Sequence, residues 1–272
     1  MRIIEWPEFL EKSLPLDGKA SAVTVGVFDG VHRGHKALID QVMAQKSQAL
    51  PVVVTFRQSQ YKKAQGQEYF GEILSFRQKM DAFESLGISI TVLIEFSESF
   101  RRLTGREFLQ ILQEQGKMRF LAVGSNFRCG YQLDTDAPAM QKFNTEQNIP
   151  TVIVPVLAEN TLNGTVTISS SRIRAAIARG ELKSAALMLG YPFTLDLAGA
   201  PVSSTAHGRV YDISALGRVF PPSGKYAVCL LGNKGGQDAK VPAEVTVSGK
   251  NIVIDRNLAE GGWLEYVEFL PS

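Results

Sequence analysis

Two of the chain's three histidines, His32 and His35, stand close together in the stretch Val23 to Ile39, VTVGVFDGVHRGHKALI. The apolar, β-branched run before Asp29-Gly30 predicts a strand over Val23 to Phe28. Leu38, Ile39, Val42 and Met43, apolar at helical spacing, predict a helix that begins near Gly34-His35. Gly26, Gly30 and Gly34 free the backbone where it bends or must come close to another group. A strand that feeds a glycine turn and then a helix leaves unpaired N–H groups and the positive end of the helix dipole at one spot. Such a spot is ready for a phosphate, and both histidines fall on it. The chain has no GxxxxGK[ST], so the turn is not a Walker loop, and no Cys or third His lies nearby in sequence to complete a metal site.

A second stretch, VTISSSRIRAAIARGEL (166 to 182), has related chemistry. Its three serines precede an apolar-periodic run, which predicts a helix N-terminus with Ser170 or Ser171 as cap and Arg174 about one turn in. Hydroxyls, N–H groups and a guanidinium then face one way, an arrangement that suits the outer phosphates of a nucleotide. Serine caps are common as structure alone, so this stretch gains its weight from the first. Between the two, VGSNFRCG (123 to 130) follows an apolar run and reads as a tight turn with Phe127 either in the core or against a ligand.

The elements that must position these residues alternate. PVVVTF (51 to 56), ISITVLI (88 to 94), RFLAVG (119 to 124) and PTVIVPV (150 to 156) read as buried strands with room for helices between them. Ser75 with Gln78, and Thr104 with Glu107, fit capping boxes at two of those helix starts. Residues 1 to 20 read as a short strand and an amphipathic turn. Alternating strands and helices with near-continuous apolar strands predict an α/β, doubly wound parallel sheet covered on both faces, with ligands at the carboxyl ends of its strands. After ELKSAALMLG (181 to 190) the character changes to short alternating runs with Gly and Pro punctuation: GRVYDI, KYAVCLL, AEVTV, NIVIDR and GGWLEYVEFL. These predict a smaller antiparallel β-barrel-like domain over 191–272, after a first domain over 1–190.

Composition narrows the function classes. The 272 residues carry 29 Lys plus Arg against 27 Asp plus Glu, a net charge of +2, without the basic excess of a nucleic-acid binder. Cys129 and Cys229 are the two cysteines, far apart, which gives no disulfide framework and fits a reducing cytoplasmic setting. The N-terminal stretch has charges throughout, and no run of about 18 apolar residues follows, so neither export nor membrane insertion is expected.

Gly26, Phe28, Asp29, Gly30, His32, Gly34 and His35 resemble GxFDGxHxGH, the signature of the prokaryotic bifunctional FAD synthetase family (riboflavin kinase/FMN adenylyltransferase). Within it, His32-Arg33-Gly34-His35 is similar to the HxGH box of the wider nucleotidyltransferase superfamily. Ile168, Ser169, Ser170, Ser171, Ile173 and Arg174 resemble the superfamily's ISSTxIR box, and Gly124, Asn126, Phe127 and Gly130 resemble G-x-[DN]-F-x-F-G, with Cys129 in place of the second aromatic. The segment after the second core strand departs from the family's TFxPHP: Thr55 and Phe56 match, but Gln58, Ser59 and Gln60 stand where Pro, His and Pro are expected, and Arg57 is a candidate compensating cation. The kinase motif GxPTAN has no counterpart in GAPVSSTAHGRVYDI, and no acid shows the flanking pattern of the kinase's catalytic glutamate.

The resemblance implies a Rossmann-like fold and transfer of AMP from ATP to FMN, giving FAD and pyrophosphate, with Mg²⁺ carried by ATP and no metal ligand assigned. It implies His32, His35 and Arg174 as catalytic residues, and Gly26, Phe28, Asp29, Gly30, Gly34, Asn126, Ser170 and Ser171 as nucleotide-binding. It also implies a kinase-like C-terminal domain that no longer phosphorylates riboflavin. Two alternatives stay open: an adenylyl- or cytidylyltransferase for another small phosphate, since Gln58-Ser59-Gln60 differ, and a non-catalytic flavin or nucleotide binder.

Overall fold

The structure is a computed structural model that describes residues 1–57, 71–161, 164–205, 208–255, 258 and 262–271. Gln58, Ser59 and Gln60, most of the polar stretch from Gln60 to Glu72, and His207 lie outside the described residues. By internal contacts the chain falls into two compact units, one of residues 1–57 and 79–167, the other of residues 71–78 and 168–271.

The first unit begins with β1 (Arg2–Glu5) and α1 (Trp6–Lys12), a helix where a turn was expected: proline in its first turn suits a helix start, and Trp6 and Phe9 bury. It continues through β2 (Ala20–Val25), α2 (Arg33–Met43), β3 (Ala49–Phe56), most of α3 (Phe76–Ser85), β4 (Ile90–Ile94), α4 (Glu98–Arg101), α5 (Gly105–Glu114) and β5 (Met118–Gly124). A two-residue ribbon pairs β6 (Arg128–Cys129) with β7 (Thr135–Asp136); α6 (Ala137–Glu146), β8 (Thr151–Val154) and a hairpin of β9 (Ala158–Thr161) and β10 (Gly164–Thr167) complete it. Both predicted capping boxes form, Ser75 with Gln78 and Thr104 with Glu107.

Strand order is β1-β4-β3-β2-β5-β8, with every neighbouring pair parallel. From β2 the chain winds one way to β3 and β4 and then the other way to β5 and β8, so the topological switch lies between β2 and β5. Alternate residues Val23 and Val25, Val52 and Val54, Val92 and Ile94, Leu121 and Val123 share one core with Trp6, Phe9, Phe108, Leu109 and Met140. Ile39, Val42 and Phe83 are buried from α2 and α3. This is the expected doubly wound arrangement. β2 itself ends at Val25 rather than Phe28, because Phe28 adopts φ 54° and turns its ring into the interior instead of continuing the ladder.

The second unit holds α7 (Ser170–Ala178), α8 (Leu182–Leu189) and seven strands: β11 (Thr194–Asp196), β12 (Val202–Thr205), β13 (Gly208–Asp212), β14 (Gly224–Lys234), β15 (Gln237–Ser248), β16 (Asn251–Ile254) and β17 (Leu264–Phe269). They form one antiparallel, barrel-like sheet in the order β11-β17-β14-β15-β16-β13-β12. Gly235 and Gly236, both at positive φ, make the two-residue turn of its longest hairpin. In the same unit Arg77 at the start of α3 grips Asp196 through Nε and Nη2 at 2.7 and 2.6 Å, donates to Glu265 at 2.7 Å and lies 4.3 Å from the Tyr266 ring centre.

Candidate active site

The turn after β2 is bent against the preference of its own side chains. Phe28, Gly30 and Val31 have φ of 54°, 84° and 33°, and a β-branched residue such as Val31 rarely adopts a positive value. Strain of this kind persists where the surroundings fix it, and it gathers at ligand sites. Here Phe28 supplies the fixing: its ring is fully buried, edge-on to Phe83 at 5.4 Å and 5.1 Å from the His35 ring. Gly26 still donates to the Val54 carbonyl at 3.1 Å, so the ladder ends only as the turn begins. Asp29 is buried in the turn.

His32 is the N-cap of α2, which therefore starts at Arg33, one residue before the expected Gly34-His35. Its Nδ1 accepts from the His35 backbone N–H at 3.3 Å, and the two imidazoles stack with centres 3.6 Å apart. Gly34 leaves room for this packing, since a Cβ there would lie 3.2 Å from the His32 ring, a contact tighter than most. Burial pulls His32 down to about 4, and burial first, then the charges of His32 and Lys79, holds His35 well below the ordinary histidine value. Both rings are neutral at pH 7. Because Nδ1 of His32 accepts, its proton sits on Nε2, which is a donor. The His35 Nδ1 is buried and has no hydrogen-bond partner among the described residues.

The carboxyl end of β5, across the switch point, leads into the second predicted turn. Phe127 N–H donates to Gly124 O at 2.9 Å, Asn126 is exposed, and Phe127 packs partly buried against the core. Cys129 is mostly enclosed and its thiol is pushed up to about 12 by burial, so it stays protonated. Thus His32, His35 and Asn126 follow the two strands that flank the crevice where open parallel sheets take ligands.

The serine stretch belongs to the second unit. Its cap is Ser169, not Ser170 or Ser171: Ser169 is extended at φ −154° and accepts from Arg172 N–H at 3.4 Å, whereas Ser170 and Ser171 are already helical. The cap is the last residue outside helical geometry, and three consecutive serines cannot be ranked by type alone. Arg174 is buried and donates to Ser171 Oγ at 3.2 Å, so hydroxyl and guanidinium do converge within α7.

Three features escaped the sequence. Arg57, a candidate compensating cation, is ion-paired with Glu5 and Glu95. A different cation, Lys79 of α3, is buried and donates to Phe56 O at 2.8 Å, with Val27 O at 3.5 Å. A mid-helix lysine reads as a surface residue, and nothing local in the sequence marks this one. Arg33 of the HxGH box also pairs with Glu159 on the β9–β10 hairpin.

A model of the FAD synthetase family matches residues 15–172, from the lead-in to β2 to the first turn of α7. The bifunctional riboflavin kinase/FMN adenylyltransferase of Escherichia coli K12 is 30% identical over 218 residues, covering 77% of this chain and 68% of the relative. The FAD synthetase of Listeria monocytogenes is 27% identical over 179 residues, covering 65% of this chain and 71% of the relative. Among solved structures, a Streptococcus pneumoniae protein called a macrolide-efflux protein matches with a TM-score of 0.80 over 100% of this chain and 90% of that one. At 23% identity that likeness is one of fold. No described helix here is long and apolar enough to cross a membrane. The family match spans the whole of the glycine turn with His32 and His35 and reaches Arg172 in the serine stretch, and with relatives aligned over most of the sequence the chain belongs to the FAD synthetase family.

Proposed function

We propose that this protein makes FAD by transferring AMP from ATP to FMN in the cytoplasm. The observation that carries the reading is the stacked His32–His35 pair at the carboxyl end of β2, beside the topological switch. An FMN phosphate oxygen attacks the α-phosphorus of ATP, the bond from that phosphorus to the bridging oxygen breaks, and pyrophosphate leaves with the electron pair. A phosphomonoester with its second pKa at about 6 is mostly dianionic at pH 7, so no base is needed. The site has to align two anions and meet the charge that develops in the transition state.

In this reading the His32 Nε2–H and His35 face the α-phosphate. Gly26, Phe28, Asp29, Gly30 and Gly34 shape the turn around the nucleotide, and Asn126 contributes from the β5 side. Ser170, Ser171 and Arg174 hold the β- and γ-phosphates. Among the described residues no group of three or more His, Cys, Asp or Glu is placed to hold a metal ion. Mg²⁺ then arrives as the ATP complex, since it binds through phosphates with few protein ligands, and would supply charge neutralisation there. Neither nucleic acid nor membrane enters as a partner.

Residues 1–190 carry this chemistry, and residues 191–272 are a kinase-like domain without kinase activity. The latter rests on chemistry: a riboflavin kinase must take a proton from an alcohol and grip Mg-ATP. The stretch that would carry its nucleotide motif contributes strands β12 and β13 here, with neither Thr nor Asn in the expected pattern. A different small phosphate as acceptor is the second reading, favoured by Gln58-Ser59-Gln60 alone. Incubation with Mg-ATP and either FMN or riboflavin, with products separated chromatographically, tests all of this. FAD from FMN and no FMN from riboflavin is the expected pair of results; FMN formed from riboflavin would overturn the claim about residues 191–272.

A further inference from the structure

Lys79 has no role in the chemistry described so far, yet it is among the few charged residues the fold buries. Removing an ammonium from water is costly unless donors find acceptors, and a methionine would fill the same path without that cost. What distinguishes Lys79 is where its charge ends. Its Nζ donates to Phe56 O, the last residue of β3, and reaches toward Val27 O, the residue before the strained Phe28. Thr55 Oγ1 donates to the same Val27 carbonyl at 3.1 Å, so the start of the glycine turn is held from two sides. Carbonyls only accept, so these contacts use the lysine's protons.

We propose that Lys79 is a positioning residue for adenylyl transfer, tying the glycine turn to the end of β3 and placing a fixed positive charge beside the His32–His35 pair. The inference rests on the FAD synthetase reading and deepens it. Two stacked neutral imidazoles offer donors but no net charge, whereas the α-phosphate and the attacking phosphate are both anions. Lys79 brings positive charge from α3, and its influence reaches His35. The ammonium also disfavours a proton on His35, keeping that ring in the form that packs on Phe28 and His32. His32 from its own turn and Lys79 from α3 are the groups whose charge bears on His35.

Lys79→Met separates this from a packing role, because it keeps the stem and removes the charge. With FMN and Mg-ATP, kcat should fall about 30- to 100-fold while both KM values stay within about threefold. The chain has three histidines, so their ring C–H signals can be followed individually by NMR titration. In Lys79→Met the His35 signal should titrate at higher pH than in the wild type, with the melting temperature little changed. If Lys79→Met does not fold, Lys79→Gln, which retains a donor without charge, carries the same comparison. Wild-type protein that forms no FAD overturns the functional reading. Wild-type protein that forms FAD, with a variant of near-normal kcat or an unmoved His35 signal, overturns the role of Lys79 alone.

Discussion

His35→Ala should slow FAD formation far more than it weakens FMN binding, and the structure bounds the size. The substitution removes the imidazole but leaves the His35 backbone N–H, which is the group that donates to His32 Nδ1 at 3.3 Å. His32 therefore keeps its tautomer, and the loss is that of one preorganised group rather than the pair. Removing one such donor costs about 3 kcal/mol of transition-state stabilisation, about 100-fold in kcat. The lost ring contacts with Phe28 at 5.1 Å and His32 at 3.6 Å act on folding instead, at about 1 kcal/mol. Initial rates of FAD formation at varied FMN and ATP give kcat and KM, quenching of FMN fluorescence gives its Kd, and a thermal melt reads the folding cost. The Kd should stay within about threefold, because a change confined to the transition state leaves ground-state binding intact. A variant that turns over within about fivefold of the wild type would mean that His35 does not meet the reacting phosphate.

Arg174→Ala should raise the KM for ATP more than that for FMN, since its guanidinium converges with Ser171 at a helix start suited to outer phosphates; equal effects in steady-state kinetics would contradict this. His32, lowered to about 4 by burial from 6.5 when unfolded, makes the unfolded state bind more protons between those values. Stability should thus fall by about 2 kcal/mol as pH drops from 6.5 to 5, and urea melts of His32→Gln should show a shallower slope than wild type over that range. Arg77→Met strands Asp196, which is 4% exposed, and should cost about 2 kcal/mol, below a fully buried pair because Arg77 keeps 37% exposure; an unchanged melting temperature would count against the clamp.

Local signals carried most of the first unit. The β2–turn–α2 stretch was legible because β-branched runs, glycines and helical apolar spacing all act over a few residues, and both capping boxes formed where Ser75–Gln78 and Thr104–Glu107 mark them. Continuous apolar runs gave β3, β4, β5 and β8 within a few residues of their ends. What stayed hidden depends on tertiary partners. The positive φ of Phe28 needs a pocket beside Phe83, the choice of Ser169 over its two neighbours needs the incoming backbone direction, and Lys79 becomes special only when α3 brings it to the ends of β2 and β3. The β9–β10 hairpin and the edge strands β11 and β12 are short and polar in part, so alternation is too brief to show.

The central claim is that the α-phosphorus of ATP, and no other, moves to a flavin phosphate. Purified protein given FMN and ATP radiolabelled at either the α- or the γ-phosphorus tests it directly, with flavins and pyrophosphate separated after partial conversion. The expected result is α-label in a flavin that co-elutes with FAD, γ-label in pyrophosphate, and one pyrophosphate released per FAD formed. Label from the γ-position in the flavin, or no transfer of the α-label at all, would contradict it.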